Sequence, residues 1–297
     1  MNSPLGDIPK KVRVVEVGPR DGLQNEAEVV STKDKAQFIE LLGRSGLSDI
    51  EVTSFVSPKR VPQLADADEL FAEIVKRQKV RYWALVPNAK GLERALAAGV
   101  RSIAFFTAAS ETFTQKNIGM TISESLREFR NMMPMARQHG CRVRAYVSTA
   151  FVCPYEGRIE PDKVLPVVSE LVEMGIDEVS LGDTVGRAAP NDVSKLTESL
   201  LGTLPLEKMA YHFHDTNGLA VANVLMALQR GVSVFDSSTG GIGGCPFAPG
   251  AAGNLATEKL LTLLQGMGIE TGVDIAAISK AAKFLEPKLG HSLGPKF

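Results

Sequence analysis

Short β-branched runs alternate with longer amphipathic runs along almost the whole chain. The short runs predict strands over 12–17, 50–54, 80–86, 102–106, 143–148, 178–182, 210–214 and 232–236. Between them, 33–46 and 161–175 read as helices. In the second, Val164, Val167, Val168, Leu171 and Val172 share one face, as a helix packed on a sheet requires. Gly46, Gly99, Gly140, Gly175 and Gly231 each stand between a helical run and the next strand. That is where a helix commonly ends on a left-handed residue. The repeat of helix, glycine and strand predicts parallel strands joined by right-handed crossovers.

Eight such units predict an α/β chain folded as a closed (β/α)8 TIM barrel, with 273–289 as an additional C-terminal helix. A doubly wound sheet is the alternative. Its glycine fingerprint, GxGxxG after the first strand, is absent, because the first loop reads GPRDGLQNE. No linker or low-complexity segment interrupts the repeat, so 1–297 reads as a single domain.

Composition narrows the function without choosing it. The chain has 297 residues, 44% of them hydrophobic, and a net charge of −1, as expected of a soluble globular protein. A basic face for nucleic acid is not foreseen. No run approaches the roughly 20 apolar residues of a membrane span. The first residues, MNSPLGDIPKK, lack a signal or transit pattern, so a cytoplasmic protein is expected. Three cysteines without a CxxC are too few for a disulfide framework.

In a barrel of this kind chemistry belongs at the C-terminal ends of the strands. Arg20 and Asp21 follow the first strand, and Glu51 lies in the second. Arg144 is placed near the end of the fifth, and Asp183 and Thr184 follow the sixth. His212 and His214 end the seventh, and the loop after the eighth holds Cys245 and Asn254. Each alone has a plain explanation: an Asp after a strand often caps a helix, and an Arg–Glu pair often only ties two strands. The HxH spacing is more specific, because alternate strand residues share a face. Both imidazoles should point into the barrel, with Phe213 toward the helices. Two inward imidazoles suit Mn²⁺ or Zn²⁺, or else separate hydrogen bonds to carboxylates. With Asp21 and Asn254 as oxygen donors, the set suits octahedral Mg²⁺ or Mn²⁺ better than structural zinc.

The motifs VEVGPRDGLQNE (15–26), SFVSPK (54–59), SLGDT (180–184), HFHDT (212–216) and GGCP…GNLATE (243–258) resemble those of the 3-hydroxy-3-methylglutaryl-CoA lyases. The resemblance runs from about Lys11 to Gly272. It implies a metal-dependent barrel lyase with an acyl-CoA substrate, a homodimeric state and a place in leucine catabolism. By position it implies Asp21, His212, His214 and Asn254 as metal ligands. It further implies Arg20, Glu51, Asp183, His212 and Cys245 as catalytic residues, with Asn117 and Arg144 near the substrate; Thr184, after the sixth strand, and Asn217, after the seventh, are further candidate substrate contacts. Either Asp183 or His212 would take the proton of the 3-hydroxyl.

Several positions depart from the family's usual sequence. Asn217 replaces a tyrosine, Thr149 a cysteine, Ala145 a glycine, and Phe151–Val152 a Leu–Gly pair. Cleavage of 3-hydroxy-3-methylglutaryl-CoA to acetyl-CoA and acetoacetate is the activity that the resemblance implies, and these changes make an altered acyl group, citramalyl-CoA or a longer 3-hydroxy-3-alkylglutaryl-CoA, the alternative. A condensing synthase of the same superfamily is a different class of enzyme, and Cys245 in GGCP speaks against it. A binding protein without activity would have lost catalytic positions, and none is lost.

Overall fold

In the computed structural model, residues 8–243 and 253–294 are described. Eight strands, β1 Arg13–Glu16, β2 Asp49–Ser54, β3 Arg81–Leu85, β4 Ser102–Ala108, β5 Arg142–Ser148, β6 Glu178–Asp183, β7 Met209–Phe213 and β8 Val234–Ser237, form a closed barrel. Each strand pairs in parallel with its neighbour in sequence, and β8 closes the ring on β1 through pairs such as Arg13↔Val234. The predicted helices form at Thr32–Gly43, Pro161–Glu173 and Ile275–Leu289. A two-stranded hairpin, Val152–Cys153 with Gly157–Arg158, was not foreseen. Its rungs are too short to leave a period in the sequence.

The five glycines between helix and strand all have φ between 65° and 94°. Gly46 shows why one cannot be exchanged: a Cβ there would stand 2.0 Å from the Gly272 carbonyl oxygen.

Alternation divides each strand between two layers. In β5, Val143, Ala145 and Val147 face outward into the apolar layer beneath the helices. Arg144 and Tyr146 face the lumen, where they pack against Asp236, Glu178 and Glu51. The buried lumen is unusually charged for a barrel. Asp49 accepts from Arg81 (2.7 and 2.8 Å) and from Trp83 Nε1 (2.8 Å) near the N-terminal ends of the strands. Arg13 pairs there with Glu178. Branched apolar residues usually fill these layers. Buried charges are sustainable here because partners are supplied from neighbouring strands.

Candidate metal centre and active site

Arg20 and Asp21 lie in a single π-type turn, Gly18–Gly22, that β1 feeds directly. The Asp21 and Gly22 amides both donate to the Val17 carbonyl, at 2.7 and 3.3 Å. Such wide turns frequently mark functional sites, because they turn consecutive side chains toward one point. Here both side chains aim across the rim. Arg20 Nη1 contacts Asp21 Oδ1 at 2.5 Å, and Arg20 Nε donates to Glu51 Oε2 at 2.8 Å.

At the end of β7, His212 and His214 face the lumen with ring centroids 5.2 Å apart. Phe213 between them points outward and stacks on Tyr211 at 5.1 Å. Alternation therefore holds as expected. Asn254 reaches the same place by backbone pairing. Residues 253–255 run back along the strand ends, with Asp215 N donating to Gly253 O (2.7 Å) and Leu255 N to Phe213 O (3.0 Å). This antiparallel pairing sets Asn254 opposite His214. Asn254 Nδ2 then donates to Asp21 Oδ2 at 2.9 Å.

Asp21, His212 and His214 each offer a ligand atom within 4.8 Å of the others. Among the described residues, three buried atoms at this place have no hydrogen-bond partner: Asn254 Oδ1, His212 Nδ1 and His214 Nδ1. Unsatisfied buried acceptors are costly unless something positive is meant to meet them. Electrostatics point the same way. Burial, then the neighbouring His212, holds the His214 pKa down at about 3, so the ring stays neutral with a lone pair to give. Burial opposes ionisation of Asp21, but Arg20 and the two imidazoles hold its carboxyl well below the usual range. A neutral imidazole and an ionised carboxylate are the protonation states that metal binding needs. The residues fit a divalent cation.

Beside the cluster, Glu51 is wholly buried and fixes Arg20, while Tyr146 donates to the same Glu51 oxygen at 2.9 Å. Asp183 is buried at the end of β6, where its two oxygens accept from the Arg187 (3.1 Å) and Ala188 (3.0 Å) amides. It clamps the loop after β6 and does not cap the next helix, which begins at Pro190. Burial raises its pKa to about 6, against the pull of those amides.

The remaining expected residues lie less centrally. Arg144 is the correction: it occupies the third position of β5, is fully buried, and sits below the rim in an ion network with Asp236 and Glu178. It is near the start of the strand, because β5 continues to Ser148. Asn117 is exposed in the last turn of the helix Glu111–Ile118, and Asn217 is exposed in the turn after β7. Neither is brought to the cluster. Thr184 Oγ1 accepts from the Thr149 amide at 2.8 Å. That bond helps hold Thr149 at φ 52°, the only positive φ outside glycine among the described residues. Cys245 lies outside the described residues.

The departures at Ala145 and Phe151 do not line the lumen. Ala145 faces the helix layer, and Phe151 packs on Tyr211 and Phe213 there. The bulk they add therefore does not narrow the acyl site. Two residues that the motifs did not single out matter more. Tyr146 and Asp236 both enter the lumen beside His212. The same alternation applied to β8 would have found Asp236, which shares a face with Val234.

A closed parallel barrel with a carboxylate–imidazole cluster at its C-terminal rim defines a barrel enzyme. A family model described as HMGL-like matches residues 11–285. The chain is 49% identical over 294 residues to mitochondrial hydroxymethylglutaryl-CoA lyase of Homo sapiens, covering 99% of this chain and 90% of the relative. It is also 49% identical to the 3-hydroxy-3-isohexenylglutaryl-CoA/hydroxymethylglutaryl-CoA lyase of Pseudomonas aeruginosa, over 98% of this chain and 97% of the relative. A crystal structure of hydroxymethylglutaryl-CoA lyase from Pseudomonas aeruginosa superposes with a TM-score of 0.95, covering 97% of this chain and 96% of that one, at 49% identity. The chain belongs to the HMGL-like family and is a carbon–carbon lyase. No helix among the described residues is long and apolar enough to cross a membrane.

Proposed function

We propose that the protein cleaves 3-hydroxy-3-methylglutaryl-CoA into acetyl-CoA and acetoacetate. The observation that carries this reading is the convergence of Asp21, His212, His214 and Asn254 beside an arginine locked by a buried glutamate. Mg²⁺ or Mn²⁺ held by those four side chains would supply the positive charge that lets a tertiary hydroxyl ionise near neutral pH. Asp183 takes the hydroxyl proton. His212 is the weaker candidate, since its Nε2 faces the metal ligands and its Nδ1 faces Asp236.

Loss of that proton lets the C2–C3 bond break, and its electron pair moves into the thioester. Arg20 meets the enolate oxygen that develops there, a charge that a preformed cation stabilises most in a site closed to water. Glu51 and Tyr146 keep the guanidinium in place. Cys245 returns a proton to C2 and releases acetyl-CoA. The test is acetyl-CoA release by the purified protein with Mg²⁺ or Mn²⁺ and reduced thiols. Absence of cleavage of every member of a panel of tertiary 3-hydroxyacyl-CoA thioesters would sink the reading.

A second reading is favoured by the Pseudomonas aeruginosa relative, whose name includes an isohexenyl substrate. The same site would then accept a longer 3-alkyl group. Rates with the longer thioester, measured beside those with the methyl compound, decide between the two.

A further inference from the structure

His212 lies between two carboxylates, and only one of them belongs to the metal cluster. Its Nε2 faces Asp21 Oδ2 at 3.9 Å, and its Nδ1 faces Asp236 Oδ2 at 3.5 Å. Asp236 sits beside His212 in the β8–β7 register, so the two side chains enter the lumen at one level. Asp236 is 1% exposed and reaches no rim. Its Oδ1 accepts from Arg144 Nη2 at 2.8 Å and its Oδ2 from Ser180 Oγ at 2.8 Å. Arg144 is fixed in turn by Glu178 at 3.1 Å and by the Tyr146 ring, 4.9 Å away. The carboxylate therefore has a rigid mount, and its Oδ2, which keeps a free lone pair, stands 3.5 Å from a His212 Nδ1 that has no hydrogen-bond partner among the described residues.

We infer that Asp236 is a positioning residue that holds the proton of His212 on Nδ1 and so presents the Nε2 lone pair to the metal. The inference rests on the metal-site reading above. A neutral imidazole carries one N–H, and the partner of one nitrogen decides which atom is left to coordinate. A small rotation of the ring converts the 3.5 Å contact into a hydrogen bond. Asp236 is not needed merely to neutralise Arg144, because Glu178 already faces that guanidinium.

Asparagine at this position tests the assignment through its own hydrogen-bonding pattern. In Asp236→Asn the single carbonyl oxygen stays with Arg144, which has only donors. The amide nitrogen then faces His212 and donates to Nδ1. That drives the ring proton to Nε2, where it blocks coordination. The ¹⁵N shifts of His212 in the metal-free protein at alkaline pH should show protonated Nδ1 in the native chain and protonated Nε2 in Asp236→Asn. Mn²⁺ affinity, titrated by electron paramagnetic resonance, should fall by about 10–100-fold in the variant. Glu178→Gln changes charge at the same arginine without touching His212, and should leave affinity within about twofold.

An Nε2–H tautomer in the native chain overturns the inference, and does so even if Asp236→Asn fails to fold. Equal losses of affinity in Asp236→Asn and Glu178→Gln overturn it as well, since they indicate charge balance alone. If the native chain binds no Mn²⁺, the metal-site reading fails and this inference with it. Native binding that survives Asp236→Asn unchanged removes the inference alone.

Discussion

Arg20 meets Glu51 Oε2 through both Nε and Nη2, each at 2.8 Å, and the Tyr146 hydroxyl reaches the same oxygen at 2.9 Å. One carboxylate oxygen thus sets the direction of the guanidinium that contacts Asp21. Glu51→Gln preserves the shape and removes the charge. The expected result is a fall in kcat of about 10²–10³-fold with a much smaller change in KM, because the arginine acts on charge that exists only in the transition state. Steady-state kinetics on the acyl-CoA substrate measure both. An unchanged kcat would assign Glu51 to the scaffold.

His214 Nδ1 has no hydrogen-bond partner among the described residues, and burial keeps the ring neutral. His214→Ala should weaken Mn²⁺ binding by more than about 100-fold while leaving the far-ultraviolet circular dichroism unchanged, since a ligand is lost and no core contact replaces it. Chelation of the native enzyme should abolish acetyl-CoA release, and added Mn²⁺ should restore it. Native affinity in His214→Ala would remove this residue from the ligand set.

Glu16 is buried under the same rim, outside the cluster. Its Oε1 accepts from the Gly18 and Thr239 amides and its Oε2 from the Thr239 and Thr257 hydroxyls, at 2.7–2.8 Å. Burial raises its pKa from 4.5 to about 7, against those four donors. The folded chain therefore keeps a proton that the unfolded chain releases between those two values. Stability that is present below the unfolded pKa is lost as pH rises through the folded one. Glu16→Gln carries no such titration, and its amide satisfies the same four groups. Between about pH 5 and pH 8 the native chain should lose on the order of 1–3 kcal/mol relative to Glu16→Gln in denaturant titrations. Parallel pH profiles would refute this assignment.

The barrel was legible because its signals are local. Hydrophobic periods and helix-ending glycines such as Gly175 and Gly231 repeat with every unit, and each repeat restates the same architecture. His212 and His214 were legible for a related reason, since alternation alone sends both to one face. The interior ion network was not. Asp236 needs Arg144 from three strands away round the barrel, and nothing in the local sequence of β8 names that partner. Arg144 was expected at the rim although the predicted strand 143–148 already put it second from the start, and the observed strand, Arg142–Ser148, keeps it near that end. Ala145 and Phe151 stood out by their differences from relatives, which do not say on which side of a strand a residue falls.

Gly243 shows how tightly the cluster is closed on its loop side. Its φ is 94°, and a Cβ there would stand 2.8 Å from both Asn254 Nδ2 and the Gly22 backbone. The Gly22 chain cannot yield without shifting the turn that carries Asp21. Gly243→Ala should cost about 1–2 kcal/mol from its backbone conformation alone and should also weaken Mn²⁺ binding by displacing Asn254. Loss of stability with native metal affinity would show that the Asn254 side chain moves aside freely.

Phe151 and Phe106 separate two accounts of substrate choice. Phe151 belongs to the outer layer, its ring 6.1 Å from Tyr211 and 6.4 Å from Phe213. Phe106 pairs in register with Tyr146 and shares its apolar cluster with Leu85 and Ala104, so it faces the lumen. Phe151→Leu should lower stability by about 1–2 kcal/mol and leave the ratio of kcat/KM for short and long 3-alkyl thioesters unchanged. Phe106→Ala should raise that ratio toward the longer group by about tenfold, the worth of one or two methylenes of new space. Competition between the two thioesters measures the ratio directly. A shift with Phe151→Leu and none with Phe106→Ala would move the acyl pocket out of the lumen.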